Sequence, residues 1–308
     1  MQRSPIVYFL FFISGIAALI YEIVRTRMLT LVFGHTVFSV SVVLAAFMAG
    51  LGLGSYLFGY AVDRLPETGG NGSSSGGKVP TALLIYGWVE ILIFASGALL
   101  SFLFANFSGI YASLHSVIPE SIALQNLIRM VFAFALMLIP TTLMGATLPI
   151  ISKYCITDDS RIGTQVSLLY ALNTLGGALG CLMAGFFLMG TFGILQTVLL
   201  AAGANLLIGI GALSIYLETV PGADWKFHLP PLRAPHIDWS MEQKFWMGIS
   251  FICGFTALAY EVLWTRLLVF STASTIYSFS MMLTVFLLGI FLGSLLLIPL
   301  AARIHNIR

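Results

Sequence analysis

Charge is what this sequence has least of. Only 8% of its 308 residues are charged, against roughly 25% in an ordinary soluble domain. Fourteen basic and twelve acidic side chains cannot furnish the polar surface that a soluble fold of this length requires. A soluble globular domain is therefore excluded, and lipid must cover most of the outside. The net charge of +2 identifies no partner, and nucleic acid is not among those expected.

Cysteine is nearly as scarce. Cys155, Cys181 and Cys253 are an odd, scattered set, which argues against a disulfide framework and against a zinc site. They read as small buried apolar residues. The five histidines (His35, His115, His228, His236 and His305) fall in loops and at helix ends with no metal-ligand spacing, so no metal and no cofactor are expected. Gly72 to Lys78 has the spacing of a phosphate-binding loop, but Val79 stands where a Ser or Thr is required. No buried strand precedes it, and it reads as flexible linker. Nothing resembles a nucleophile with its base, so no catalytic residue is assigned.

What the chain has in abundance is long apolar runs. They predict eight helices, at 5–33, 36–61, 81–105, 122–152, 164–189, 192–217, 244–270 and 275–301. Each exceeds the roughly 20 residues needed to cross about 30 Å of hydrocarbon, and runs this long exclude barrel strands. The first run, beginning at Pro5, has the look of a signal peptide. It ends in Tyr21, Glu22 and Arg25 rather than at a small-residue cleavage site, and is expected to be a structural helix. Residues 66–80 form a polar, glycine- and serine-rich loop, and 218–243 a second polar connection.

Lysine and arginine set the expected orientation. With the N-terminus in the cytoplasm, Arg3, Arg64, Lys78, Lys153, Arg161, Lys226, Arg233, Lys244, Arg303 and Arg308 all lie inside, and the outer connections carry neither residue. The expectation is a multi-pass protein of a bacterial inner membrane with both termini cytoplasmic.

The strongest organisational signal is an internal repeat. Ser14–Arg64 aligns without gaps on Cys253–Arg303 at a constant offset of 239, with 19 identities in 51 pairs. Leucines could match by chance between two apolar helices. A Tyr-Glu (Tyr21/Tyr260, Glu22/Glu261), a Thr-Arg (Thr26/Thr265, Arg27/Arg266) and a Gly-x-x-x-Gly-Ser (Gly50/Gly289, Gly54/Gly293, Ser55/Ser294) in one register would not. Six helices separate the starts of the copies, an even number, so both copies point the same way. This is a parallel repeat related by an axis along the membrane normal.

A resemblance follows from these residues. Gly59 to Asp63-Arg64, at the end of the second run, looks like the start of a major-facilitator loop signature, although Leu65-Pro66-Glu67 stands where a basic cluster usually follows. Ser14-Gly15 through Tyr21-Glu22 to Arg27, Pro140 to Pro149, and Leu169 to Gly177 together resemble the membrane part of bacterial fused major-facilitator/spermidine-synthase-like proteins. The resemblance spans nearly the whole chain. It implies an all-α membrane fold with one six-helix repeat over 1–217, a cytoplasmic connection over 218–243, and the first two helices of a second repeat over 244–308. That family also carries a soluble aminopropyltransferase-like domain, which has no counterpart here, so its catalytic residues have no positions to land on.

Ionisable residues at membrane depth are functional candidates by default. Glu22 and Glu261, each with its preceding tyrosine, Tyr21 and Tyr260, lead the candidates for a ligand or proton site. Glu22 can pair locally with Arg25 at i+3; the repeat places Trp264 there in the second copy. Arg27 and Arg266 lie about 140° around their helices and must pair elsewhere. The bland alternative is a set of structural ion pairs fixing helix packing. Glu90 has no charged neighbour one turn away and is either a proton-relay or substrate residue or a neutral acid donating one interhelical hydrogen bond. Arg129 is expected to snorkel to the interface. Asn173 and Asn205, with the small-residue ridges at Gly50/Gly54, Gly176/Gly180 and Gly289/Gly293, read as packing devices. Pro140 and Pro149 predict a kinked fourth helix, its freed carbonyls partly capped by Thr141, Thr142 and Thr147.

Three functions fit. The first is a transporter-like or ligand-binding module for a small polar or cationic solute, polyamine being the guess the family association supplies. The second is an accessory or scaffold subunit, since two helices do not make a six-helix half; a partner chain or another copy would complete the second repeat. The third is a membrane anchor for a separately encoded aminopropyltransferase.

Overall fold

The computed structural model describes residues 5–33, 36–65, 80–106, 122–156, 162–219 and 239–305. Most of the expected loop at 66–80, nearly all of the connection between the third and fourth runs, most of the 218–243 connection, the Gly72–Lys78 segment, both chain ends and His35 lie outside these residues. Among the described residues the secondary structure is entirely helical: α1 (Pro5–Phe33), α2 (Thr36–Asp63), α3 (Pro80–Ala105), α4 (Ile122–Cys155), α5 (Ile162–Met183), α6 (Met189–Thr219), α7 (Met241–Thr272) and α8 (Thr275–His305). A π-helical turn, Ala184–Leu188, joins α5 to α6. Seven helical runs are long and apolar enough to cross a membrane, with Ile162–Thr219 forming one of them.

The break expected near residue 190 inside that run falls at Gly193, whose φ of 80° and ψ of 175° are non-helical and separate two helical stretches. Glycine occupies this conformation without a Cβ penalty. At 1.5 Å per residue, 58 residues would reach about 87 Å if straight, far beyond one bilayer.

Glycines set the closest approaches. A Cβ at Gly15 of α1 would strike the Asn173 carbonyl oxygen, and one at Gly176 or Gly180 of α5 would strike the carbonyl of Phe12 or Ile16. Position numbers rise together along the two helices, so α1 and α5 run parallel. The same holds for α2 and α4, where Gly50 meets Thr141, Gly54 meets Thr142 and Gly145 meets Leu51. Ser14 reaches Glu90 and Tyr21 reaches Gly97, which makes α1 and α3 parallel. Against α3, α6 is antiparallel: Gly209 lies against Ile91 and Leu213 against Gly87. α8 is antiparallel to α5, with Ser280 on Gly185 and Leu287 on Gly177.

The helices with the most shared contact are α2 with α4, α5 with α8, α3 with α6 and α1 with α5. One continuous core runs through them, including Phe11 edge-on to Tyr86 at 6.5 Å between ring centroids. α7 stands apart, with only Glu261 and Thr265 buried along its length. Its N-terminus is fixed by a capping box that the sequence reading did not exploit: Ser240 accepts from the Gln243 amide while the Gln243 side chain accepts from Ser240. α7 ends at Ala273 in the left-handed region, φ 52°.

The two prolines of α4 lie within a continuous helix. Pro149 has no N–H, so the Gly145 carbonyl four residues earlier loses its helical donor. That carbonyl accepts from Ser55 Oγ of α2 at 2.9 Å. The threonines act differently from the expected capping. Thr141 donates to Met137 in its own helix at 2.7 Å and lies 3.2 Å from the Ala46 carbonyl of α2; Thr147 donates to Met144 at 2.7 Å.

Candidate functional site

The four residues following Gly15 carry α1 one turn up from its contact with α5, and the next turn presents Tyr21, Glu22 and Arg25 to the interior. All three are buried, as are Glu90 and Glu261. Burying so many polar groups in a bilayer is costly unless each finds a partner, and several here do not.

Glu22 of α1 and Glu261 of α7 lie in the same region of the interior, each 1% exposed. Among the described residues none of their four carboxylate oxygens has a hydrogen-bond partner. Cys181 of α5 lies beside both. The repeat is preserved in local detail: Thr26 Oγ1 donates to the Glu22 carbonyl at 2.9 Å and Thr265 Oγ1 to the Glu261 carbonyl at 2.8 Å. Arg25 interacts electrostatically with Glu22 but makes no hydrogen bond to it. Its guanidinium instead lies over the Tyr21 ring, 4.8 Å from the centroid, a cation–π contact.

Tyr21 turns the other way, toward α3. Its hydroxyl abuts Gly97, where a Cβ would come within 2.6 Å of it. Gly97 is a site neighbour that sequence reasoning missed, since a lone glycine in an apolar run carries no partner label. On the same side Ser14 Oγ donates to Glu90 Oε1 at 2.7 Å. The Tyr86 hydroxyl lies beside this pair without completing a hydrogen bond, and Glu90 Oε2 is unpartnered.

A cavity of about 440 Å³ opens between α1, α2, α4, α5 and α8. Among the described residues Glu22 is the one charged residue lining it. Leu19, Phe47, Met48, Met144, Phe286 and Leu287 make up much of its apolar wall, while Ser55, Asn173, Thr174 and Tyr170 supply polar atoms. That size and that balance of apolar wall to few polar groups match small-molecule sites. No group of three or more His, Cys, Asp or Glu able to hold a metal ion occurs among the described residues.

Other expected residues lie elsewhere. Tyr260 is 61% exposed, unlike its buried repeat mate Tyr21, because α7 presents that face away from the bundle. Arg27 lines a small crevice with Thr30 and Phe279; Arg266 is exposed and Arg129 half-buried. Asn205 is buried in α6 with its Oδ1 unpartnered. Gly289 and Gly293 have open space where a Cβ would go, so among the described residues nothing packs on them. Cys253, expected to be buried like Cys155 and Cys181, is exposed because it too sits on α7. Comparison with family models, with curated proteins and with solved structures finds no match to this chain.

Proposed function

We propose that this chain is a solute-binding, transporter-like membrane module whose site is the cavity bounded by α1, α2, α4, α5 and α8, with a small cationic solute as its ligand. The observation that carries this reading is the position of Glu22, a lone carboxylate on a cavity wall otherwise uncharged among the described residues. A buried anion without hydrogen bonds is poised to accept a cation, since taking one up removes an uncompensated charge. Uptake or binding assays on Glu22→Gln and Glu261→Gln variants test it. Both variants should lose solute binding; unchanged behaviour in both would sink the assignment.

The reading includes a topology. α1, α3 and α5 are mutually parallel and α6 opposes α3, so the chain must turn back near Gly193, which supports eight crossings and a major-facilitator-like first repeat of six. Both termini are placed in the cytoplasm of a bacterial inner membrane by the lysine and arginine bias. Cysteines introduced at Gly190 and Lys153, in a chain whose native cysteines are replaced, should react with impermeant reagents from opposite faces. Labelling of both from one side would remove the eighth crossing.

A second reading, an accessory subunit completed by another chain, is favoured by the unequal packing of the repeat. Gly15, Gly50 and Gly54 meet other helices closely, whereas Gly254, Gly289 and Gly293 face open space. Purification in mild detergent separates the two: a stoichiometric partner supports the subunit, and a lone chain that binds solute supports the transporter. The third reading, an anchor for a separate aminopropyltransferase, rests on the resemblance alone; co-purification of that enzyme would support it.

A further inference from the structure

We propose, building on the reading of the cavity as a cation site, that its ligand is a monovalent amphipathic cation, one positive charge on an apolar body, and not a polyamine. The lining fixes the valence. Among the described residues Glu22 is the one charged side chain on the cavity wall, and a single guest charge matches it. A second or third ammonium group would enter the cavity with no anion to meet it, and an unpaired buried charge is heavily penalised.

The walls fix the body. Phe47 and Phe286 bring aromatic rings to the lining, and aromatic rings attract organic cations. Met48 and Met144 adapt their shape to an irregular apolar guest. Polar atoms from Ser55, Asn173, Thr174 and Tyr170 can orient one head group but carry no charge to pair with the further amines of a polyamine. Gly52 lines the same space with nothing within 4 Å of a Cβ built on it, so the cavity has room at that point without any backbone close behind.

The test is equilibrium dialysis of the full chain, purified in detergent, with three probes. Benzyltrimethylammonium carries a permanent charge and an aromatic body, neopentylbenzene is its neutral carbon isostere, and spermidine is the polyamine. The expected result is binding of benzyltrimethylammonium at one per chain, with both other probes at least tenfold weaker. Glu22→Gln should weaken the quaternary ammonium at least tenfold. Gly52→Leu, which fills the cavity from an open position, should abolish its binding without lowering the melting temperature, so lost binding is not confused with lost folding. Tighter binding of spermidine that still depends on Glu22 would overturn the ligand class and leave the cation site standing. Equal binding of the neutral isostere, or no binding of any probe, would overturn the site itself.

Discussion

Glu22 and Glu261 occupy equivalent places in an internal repeat and are buried in the same region of the interior, each 1% exposed, with no hydrogen bond to any of their four oxygens among the described residues. The threonine one turn after each donates to that glutamate's own carbonyl, so the two copies present their acids on the same local scaffold. Their surroundings differ. Glu22 has Arg25 one turn on, and Glu261 has Trp264, which is 54% exposed. Symmetric acids in an asymmetric frame make α1 the half that carries the compensating charge.

That asymmetry predicts the sign of three variants. Arg25→Met removes the cation and leaves two buried carboxylates facing each other, so it should destabilise by about 3–5 kcal/mol. Glu261→Gln relieves the same repulsion and should stabilise. Combined with Arg25→Met it should recover much of the loss. Thermal melting in detergent reads all three, and additive effects would show that the groups do not interact.

Glycine-to-alanine changes should have opposite signs at a packed and at an open helix position. At Gly176 a Cβ meets the Phe12 carbonyl oxygen, whereas at Gly293 it meets nothing. Gly176→Ala should lower the melting temperature by forcing α1 and α5 apart. Gly293→Ala should raise stability by up to about 1 kcal/mol, the ordinary gain in helix propensity. A loss at Gly293 would reveal a helix packed there in the assembled protein.

The turn from α7 to α8 holds Ala273 at φ 52°, a conformation that costs an L-residue roughly 1–2 kcal/mol. The repeat supplies the natural remedy, for the equivalent first-copy residue is Gly34. Ala273→Gly should stabilise the chain by about 0.5–1 kcal/mol after the extra freedom of the unfolded glycine is set against it. Urea midpoints with an unchanged slope would measure it.

Ser55 and Pro149 form a coupled pair across α2 and α4. Ser55→Ala strands the Gly145 carbonyl and should cost about 1 kcal/mol. In a Pro149→Ala background the helix regains its own N–H donor, and the same change should cost close to nothing. Equal costs in both backgrounds would mean that the serine does not serve the freed carbonyl.

Much of the architecture was written in the sequence. Apolar runs too long for strands dictate helices in any lipid setting, and every described residue outside turns and caps obeys. The repeat was legible because identical polar residues in register are improbable among apolar ones. Glu22, Glu90 and Glu261 were visible as candidates because charge is so costly at that depth. Tertiary structure decided what no one-dimensional pattern encodes, namely which faces meet. It brought Glu22 to Glu261 across 239 positions, gave Ser14 rather than a charged side chain to Glu90, laid Arg25 over Tyr21, and sent Ser55 to a carbonyl that a proline on another helix had freed. It also separated Tyr21 from Tyr260 and Gly54 from Gly293, residues alike in sequence. Burial depends on the neighbouring helix, and a repeat in one chain does not guarantee that both copies have one.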